Sequence, residues 1–94
     1  MIIAKVEGNL WATRKEESLV GRKLMVVQPM NLLGQLQGEC FVAVDAVDAG
    51  IGDMVLVATG SGARKAVGQA ESPIDATIVA IIDFHEVQRS GNKE

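Results

Sequence analysis

The residues in this 94-residue sequence best suited to nucleophilic or acid–base chemistry are one cysteine, Cys40, and one histidine, His85. His85 follows Phe84 at the end of an apolar run. It has no second histidine, cysteine or carboxylate at ligand spacing, so it reads as a surface or interface histidine rather than a metal ligand or base. Cys40 and His85 could in principle pair as nucleophile and base. Placed after a turn glycine and before a strand, Cys40 reads instead as a small inert hydrophobe. Asp45, Asp48 and Asp53 do not have the spacing of a calcium loop. Aspartates in turns ordinarily accept hydrogen bonds from their own backbone.

The stretch Gly60-Ser61-Gly62-Ala63-Arg64-Lys65 is the one candidate phosphate cradle, because glycines beside a helix start attract anions and an arginine adds a fork of donors. The Gly-Lys-Ser/Thr ending of a phosphate loop and the dinucleotide glycine pattern are both missing from it. The alternative is structural: the glycines turn the chain sharply, Ser61 caps a helical turn, and Arg64 pairs across a subunit boundary.

The elements that position these residues follow from periodicity. Val42, Val44 and Ala46 alternate with Ala43, Asp45 and Val47, as a strand requires. Gly50-Ile51-Gly52-Asp53 makes a tight reversal, and Met54 to Ala58 resumes as a strand that is apolar on both faces. Earlier in the chain, Ile2 to Thr13 reads as a strand bent or bulged at Gly8, and Arg14 to Ser18 as a charged loop. Leu24 to Val27 is a strand closed by Gln28-Pro29. Asn31 to Gly38 is a polar, glycine-bearing connection suited to a long hairpin loop. Gly68 to Ser72 is a second loop, and Pro73 leads into a last strand, Thr77 to Phe84.

Short strands, close turn signals and glycines within strands predict a mainly β fold: a small five-stranded, OB-like β-barrel with one short helix. It occupies residues 1–87 as a single domain, followed by a polar tail, 88–94. The second, fourth and fifth strands are apolar on both faces, yet a small barrel has one interior. The outward faces of Met25, Val27, Leu56 or their neighbours are therefore expected to be covered by another copy of the chain.

Composition excludes several function classes. The net charge of −3 supplies no cationic field for a nucleic-acid backbone or an anionic membrane. Aromatic residues, 3% of the chain, are too few for a base-stacking groove: they are Trp11, Phe41 and Phe84. One cysteine allows no disulfide within the chain, which suits a reducing compartment. No apolar run approaches a membrane span of roughly 20 residues, and Lys5 and Glu7 end the apolar N-terminus too early for a signal peptide.

Several stretches in order resemble one family across Met1 to about Val87. They are Trp11-Ala-Thr-Arg-Lys, Gly21-Arg-Lys-Leu-Met-Val-Val-Gln-Pro and Val42-Ala-Val-Asp-Ala-Val. Ala49-Gly-Ile-Gly-Asp-Met-Val-Leu-Val, Gly60-Ser-Gly-Ala-Arg and Pro73-Ile-Asp-Ala-Thr-Ile-Val-Ala-Ile-Ile-Asp continue them. Together they resemble the EutN/CcmL family, the vertex proteins of bacterial microcompartments. The resemblance implies a small barrel assembled into a homopentamer that closes the corners of a polyhedral shell in the cytoplasm, beside hexameric shell proteins. It implies no catalytic residue, cofactor or metal. Residues expected at the subunit interface are Asp53, Gly60, Ser61, Gly62 and Arg64. Two positions depart from the family pattern: Asp48 stands where glycine is more usual, and Gly62 where serine is. A regulatory barrel binding a small anion or ligand at the Ser61–Arg64 corner is the alternative, and an enzyme built on Cys40 and His85 is a third reading.

Overall fold

A computed structural model describes residues 1–13, 15, 17–68 and 74–83. Its elements are β1 (Ile2–Leu10), a 3-10 turn (Glu17–Leu19), β2 (Lys23–Pro29), β3 (Phe41–Asp45), β4 (Met54–Thr59), α1 (Gly60–Ala66) and β5 (Ala76–Ile82). The strands close into a barrel in the order β1-β2-β3-β5-β4, with β4 paired back to β1. Every pairing is antiparallel except that of β3 with β5. The expected five-stranded barrel with one short helix is thus the observed fold.

The expected irregularity in the first strand is a bulge. Register shifts between Val6 and Gly8 against β2, leaving Glu7 as the extra residue. β1 ends at Leu10 rather than at Thr13. The Gly50–Asp53 turn reverses the chain as expected, with Gly52 at φ +94°. It does not, however, join paired strands: β3 lies between β2 and β5, and β4 between β1 and β5. The turn docks instead on β1, where the Val6 N–H donates to the Asp53 carbonyl (2.9 Å) and the Gly52 N–H to the Val6 carbonyl (2.8 Å). The β2–β3 connection is the long hairpin its composition predicts.

Alternate residues of all five strands fill the interior: Ala4 and Val6, Met25 and Val27, Ala43, Val55 and Val57, Ala76 and Ile78. Several are alanines because a five-stranded barrel is narrow and tolerates few large side chains per layer. Here one expectation is corrected in part: Met25 and Val27 point inward, and their half-buried neighbours Leu24 and Val26, with Leu56, take the outer face. A second correction concerns what covers that outer face. Val44, Ala63 and Ile74 form a separate buried cluster, joined by Leu19, Leu24 and Val67, so α1 and the 3-10 turn bury part of the barrel wall within one chain. Thr77, fully buried, donates its hydroxyl to the Ala63 carbonyl (2.9 Å) and ties β5 to the helix.

The last strand runs from Ala76 to Ile82 rather than from Thr77 to Phe84. The loop expected at 68–72, Pro73, His85 and the tail at 88–94 lie wholly or mostly outside the described residues. Ile78 is fully buried at the centre of the core. Ile78→Ala is expected to cost about 2–5 kcal/mol of unfolding free energy, read as a lower urea midpoint. A loss below 1 kcal/mol would place Ile78 outside a packed core.

Candidate functional site

The glycine corner joins β4 to α1. Thr59 is the N-cap residue, extended at φ −126° and ψ 163°, and its side chain makes no capping bond. Ser61, expected as the cap, lies inside the helix. The offset has a non-local cause: Gly60, at φ +62°, reverses the chain one residue earlier, and its N–H donates to the Asp75 carbonyl (2.9 Å) at the mouth of β5. A β-carbon at Gly60 meets no atom within 4 Å, so its requirement is conformational rather than steric. Gly62 is exposed and equally unobstructed, so the family's more usual serine fits there without a clash.

Arg64, half-buried in the last turn of α1, donates from Nη1 to the Ile74 carbonyl (3.3 Å). Within one protomer its fork therefore straps the helix to the approach of β5. Asp53 does not join this corner. It lies across the length of β4, where its Oδ2 accepts the Gly50 N–H (2.8 Å) and closes the turn. The expected interface residues thus divide into a corner group, Gly60 to Arg64, and a separate turn.

The other aspartates act on backbone and on Lys23. The Asp45 side chain is inaccessible to solvent and accepts the Val47 N–H at Oδ1 (3.0 Å) and the Ala49 N–H at Oδ2 (2.7 Å). Asp48, at φ +61°, holds the left-handed backbone that the family's glycine accommodates without strain. Lys23 reaches both carboxylates, at 2.8 Å from Asp48 and 3.4 Å from Asp45. The hydrogen bond from Lys23, reinforced by its charge, holds the Asp48 carboxyl below the usual carboxylate range. The same hydrogen bond raises the Lys23 ammonium. A depressed carboxyl contributes above its unfolded value and loses that contribution as pH falls through the folded one, so this exposed pair persists at neutral pH.

Cys40 is exposed, not buried as a small hydrophobe would be, and its thiol donates to Gln28 Oε1 (3.2 Å). His85 lies outside the described residues, so no geometry joins the two. Among the described residues, no three His, Cys, Asp or Glu side chains are grouped to hold a metal ion.

A concavity lies beside the corner, at one end of the barrel. Ile2, Phe41, Val42, Thr59, Gly60, Asp75 and Ala76 surround a groove of about 610 Å³, within the roughly 300–1,000 Å³ range of ligand-sized clefts. Its lining is mixed, with Asp75 and Thr59 among the apolar residues, and one side is the start of β3, which is unpaired toward β5. With Asp75 and, among the described residues, no cation in its lining, such a groove suits a segment of protein better than a small anion. No sequence motif marks it, because its walls come from the start of β1, β3 and β5 and the end of β4.

Comparison with known proteins follows the same outline. The sequence profile described as "Ethanolamine utilisation protein EutN/carboxysome" matches residues 1–83. The carboxysome shell vertex protein CcmL of Synechococcus elongatus is 46% identical over 88 residues, 94% of this chain and 89% of that protein. The ethanolamine utilization protein EutN of Escherichia coli superposes with a TM-score of 0.84 at 35% identity, covering 98% of this chain and 93% of that one. The GrpN pentameric microcompartment shell protein of Rhodospirillum rubrum superposes with a TM-score of 0.80 at 42% identity, covering 88% of this chain and 94% of that one.

The two lysine-linked aspartates should behave differently. Asp45→Ala strands two backbone N–H groups that the buried carboxylate satisfies, and is expected to cost about 2–3 kcal/mol in urea unfolding. Asp48→Asn removes only an exposed charge, at a left-handed position that asparagine tolerates, and should leave the midpoint nearly unchanged. Equal losses from the two substitutions would contradict this division.

Proposed function

Since the chain belongs to the EutN/CcmL family, we propose that it is a structural shell protein, five copies of which form a ring that caps the vertices of a polyhedral bacterial microcompartment. The observation that carries this reading is the match to shell vertex proteins along nearly the whole chain, in sequence and in fold together. The ring sits in the cytoplasm and meets hexameric shell proteins along its flanks. It needs no cofactor, performs no catalysis, and engages neither nucleic acid nor membrane.

The geometry of closure explains why such a part is needed. Six-sided tiles alone form flat sheets or tubes, and a closed polyhedron requires a five-sided unit at each corner. A compact, closed barrel is suited to this task because it has few free sheet edges with which to polymerise at random. In this reading the glycine corner contributes to the ring seam, a role supported by the exposure of Ser61 and Gly62 beside Arg64. The anion-binding alternative has less support, because Arg64 Nη1 already donates to a carbonyl of its own chain and the adjacent groove carries the carboxylate of Asp75.

Native mass spectrometry at micromolar concentration should give an assembly of about 50 kDa, five chains of 10.0 kDa closed head to tail. Monomer alone would contradict the ring. Electron microscopy of shells co-expressed with and without this chain tests the vertex role. Without it, and with no related vertex protein present, shells should be open or elongated; closed, tight polyhedra formed equally well would refute the assignment.

Arg64→Glu is expected to raise the concentration at which the ring dissociates by about tenfold or more while the barrel stays folded, because one unfavourable contact recurs at every seam. An unchanged assembly mass, together with loss of binding to an added anion such as phosphate, would favour the regulatory alternative.

A further inference from the structure

The β2–β3 hairpin ends in a bonded, apolar tip. Asn31 organises it: its Oδ1 accepts from the N–H groups of Leu33 (2.9 Å) and Gln35 (3.0 Å), and its Nδ2 donates to Gln35 Oε1 (2.8 Å). The Gly34 N–H donates to the Asn31 carbonyl, Gly34 turns at φ +84°, and Met30 is buried beneath the tip as it bridges to Leu36. Gln28 clamps the returning arm through the carbonyls of Gln37 and Gly38 (both 3.0 Å). This scaffold holds Leu32, Leu33 and Leu36 in solvent, at 46%, 69% and 57% exposure. A turn needs no leucines, and three held on one rigid loop form a preorganised apolar projection.

The same end of the barrel carries a matching cavity. β3 pairs with β5 only at Val44 and Asp45, whereas β2 pairs with all five residues of β3. The Phe41–Ala43 edge that faces β5 is therefore without a ladder partner and forms one side of the 610 Å³ groove. Val42 stands 41% exposed there, and among the described residues Asp75 is the one charged member of the lining, beside Phe41 and Ile2. The barrel wall is incomplete at this point in a single copy.

We infer that the Leu32–Leu33–Leu36 tip of one copy docks in the β3–β5 groove of the next, and that this contact forms the seam of the ring proposed above, on which the inference rests. Projection and groove are different surfaces, so the contact is head-to-tail. Both lie at the end of the barrel where β2 leaves and β3 returns, so a rotation with little rise brings one to the other. A rotation without rise closes a ring, whereas a rise would build a filament. Gly60 and Thr59 at the groove rim place the glycine corner beside the docked tip.

The test is disulfide capture in the full chain. In a Cys40→Ser background, Leu33→Cys and Thr59→Cys are combined; both positions are exposed, and the Thr59 side chain makes no capping bond to lose. Oxidation should give a denaturing-gel ladder ending at five chains, with each single cysteine remaining unlinked. A five-chain ring by native mass spectrometry that yields no ladder would overturn the docking while leaving the ring intact. Monomer alone in the Cys40→Ser parent would overturn both. Independently, replacing Leu32, Leu33 and Leu36 together by serine should raise the ring's dissociation concentration by about tenfold or more, with circular dichroism unchanged. An unaltered dissociation concentration in that folded variant rejects the seam.

Discussion

Closing a sheet of five short strands requires the last strand to find partners on both edges, and the placement of β5 governs the rest of this molecule. It pairs with β4 at six positions and with β3 at only two, in parallel. The interior that results is narrow. Alanines at positions 4, 43, 49 and 76 make room for Met25, Ile78 and four fully buried valines. Large residues around the whole circumference would force the wall apart, and small ones alone would leave voids.

The short β3–β5 pairing has two structural consequences. On the outside of the barrel, α1 and the 3-10 turn cover Val44 and Leu24, and the Thr77 hydroxyl holds the helix in place. At the barrel end, β3 parts from β5 and leaves a groove beside a glycine corner. Both follow from a single geometric event. The chain has to leave β4, turn through α1 and re-enter at β5, so β5 runs beside β3 for only part of that strand. Antiparallel neighbours can follow each other from a tight turn, but a parallel partner must be reached by a crossover.

A shell component has different needs from an enzyme. It must keep one shape and meet identical neighbours repeatedly, so small interaction energies recur around a ring. The chemistry of this chain fits that requirement. Asp45 and Asp53 satisfy backbone groups, Arg64 straps a helix, and the one cysteine bonds a glutamine that already clamps a hairpin. Its most exposed apolar side chains are set on loops and barrel ends, where neighbours can reach them.

Much of this was legible in order along the chain. Alternation marked the strands, Gly8 marked the bulge, Pro29 closed β2, and the Gly50–Asp53 turn chemistry was read correctly. The run of matched stretches identified the family, because order and spacing over most of a chain carry far more information than any single motif. What the sequence could not determine was phase, partnership and covering. Period two shows that Leu24-Met25-Val26-Val27 alternates but not which pair faces inward; that is set by neighbours across the sheet. A tight turn links β3 to β4, yet each pairs with β5 and not with the other, since barrel closure is decided by contacts far apart in sequence. Ser61 missed the cap position because a carbonyl from Asp75 takes the Gly60 N–H. Residue types and spacings therefore determined the elements and the family of this protein. Only the tertiary structure decided which faces are inside and where a groove opens, because each depends on strands that meet only after the barrel has closed.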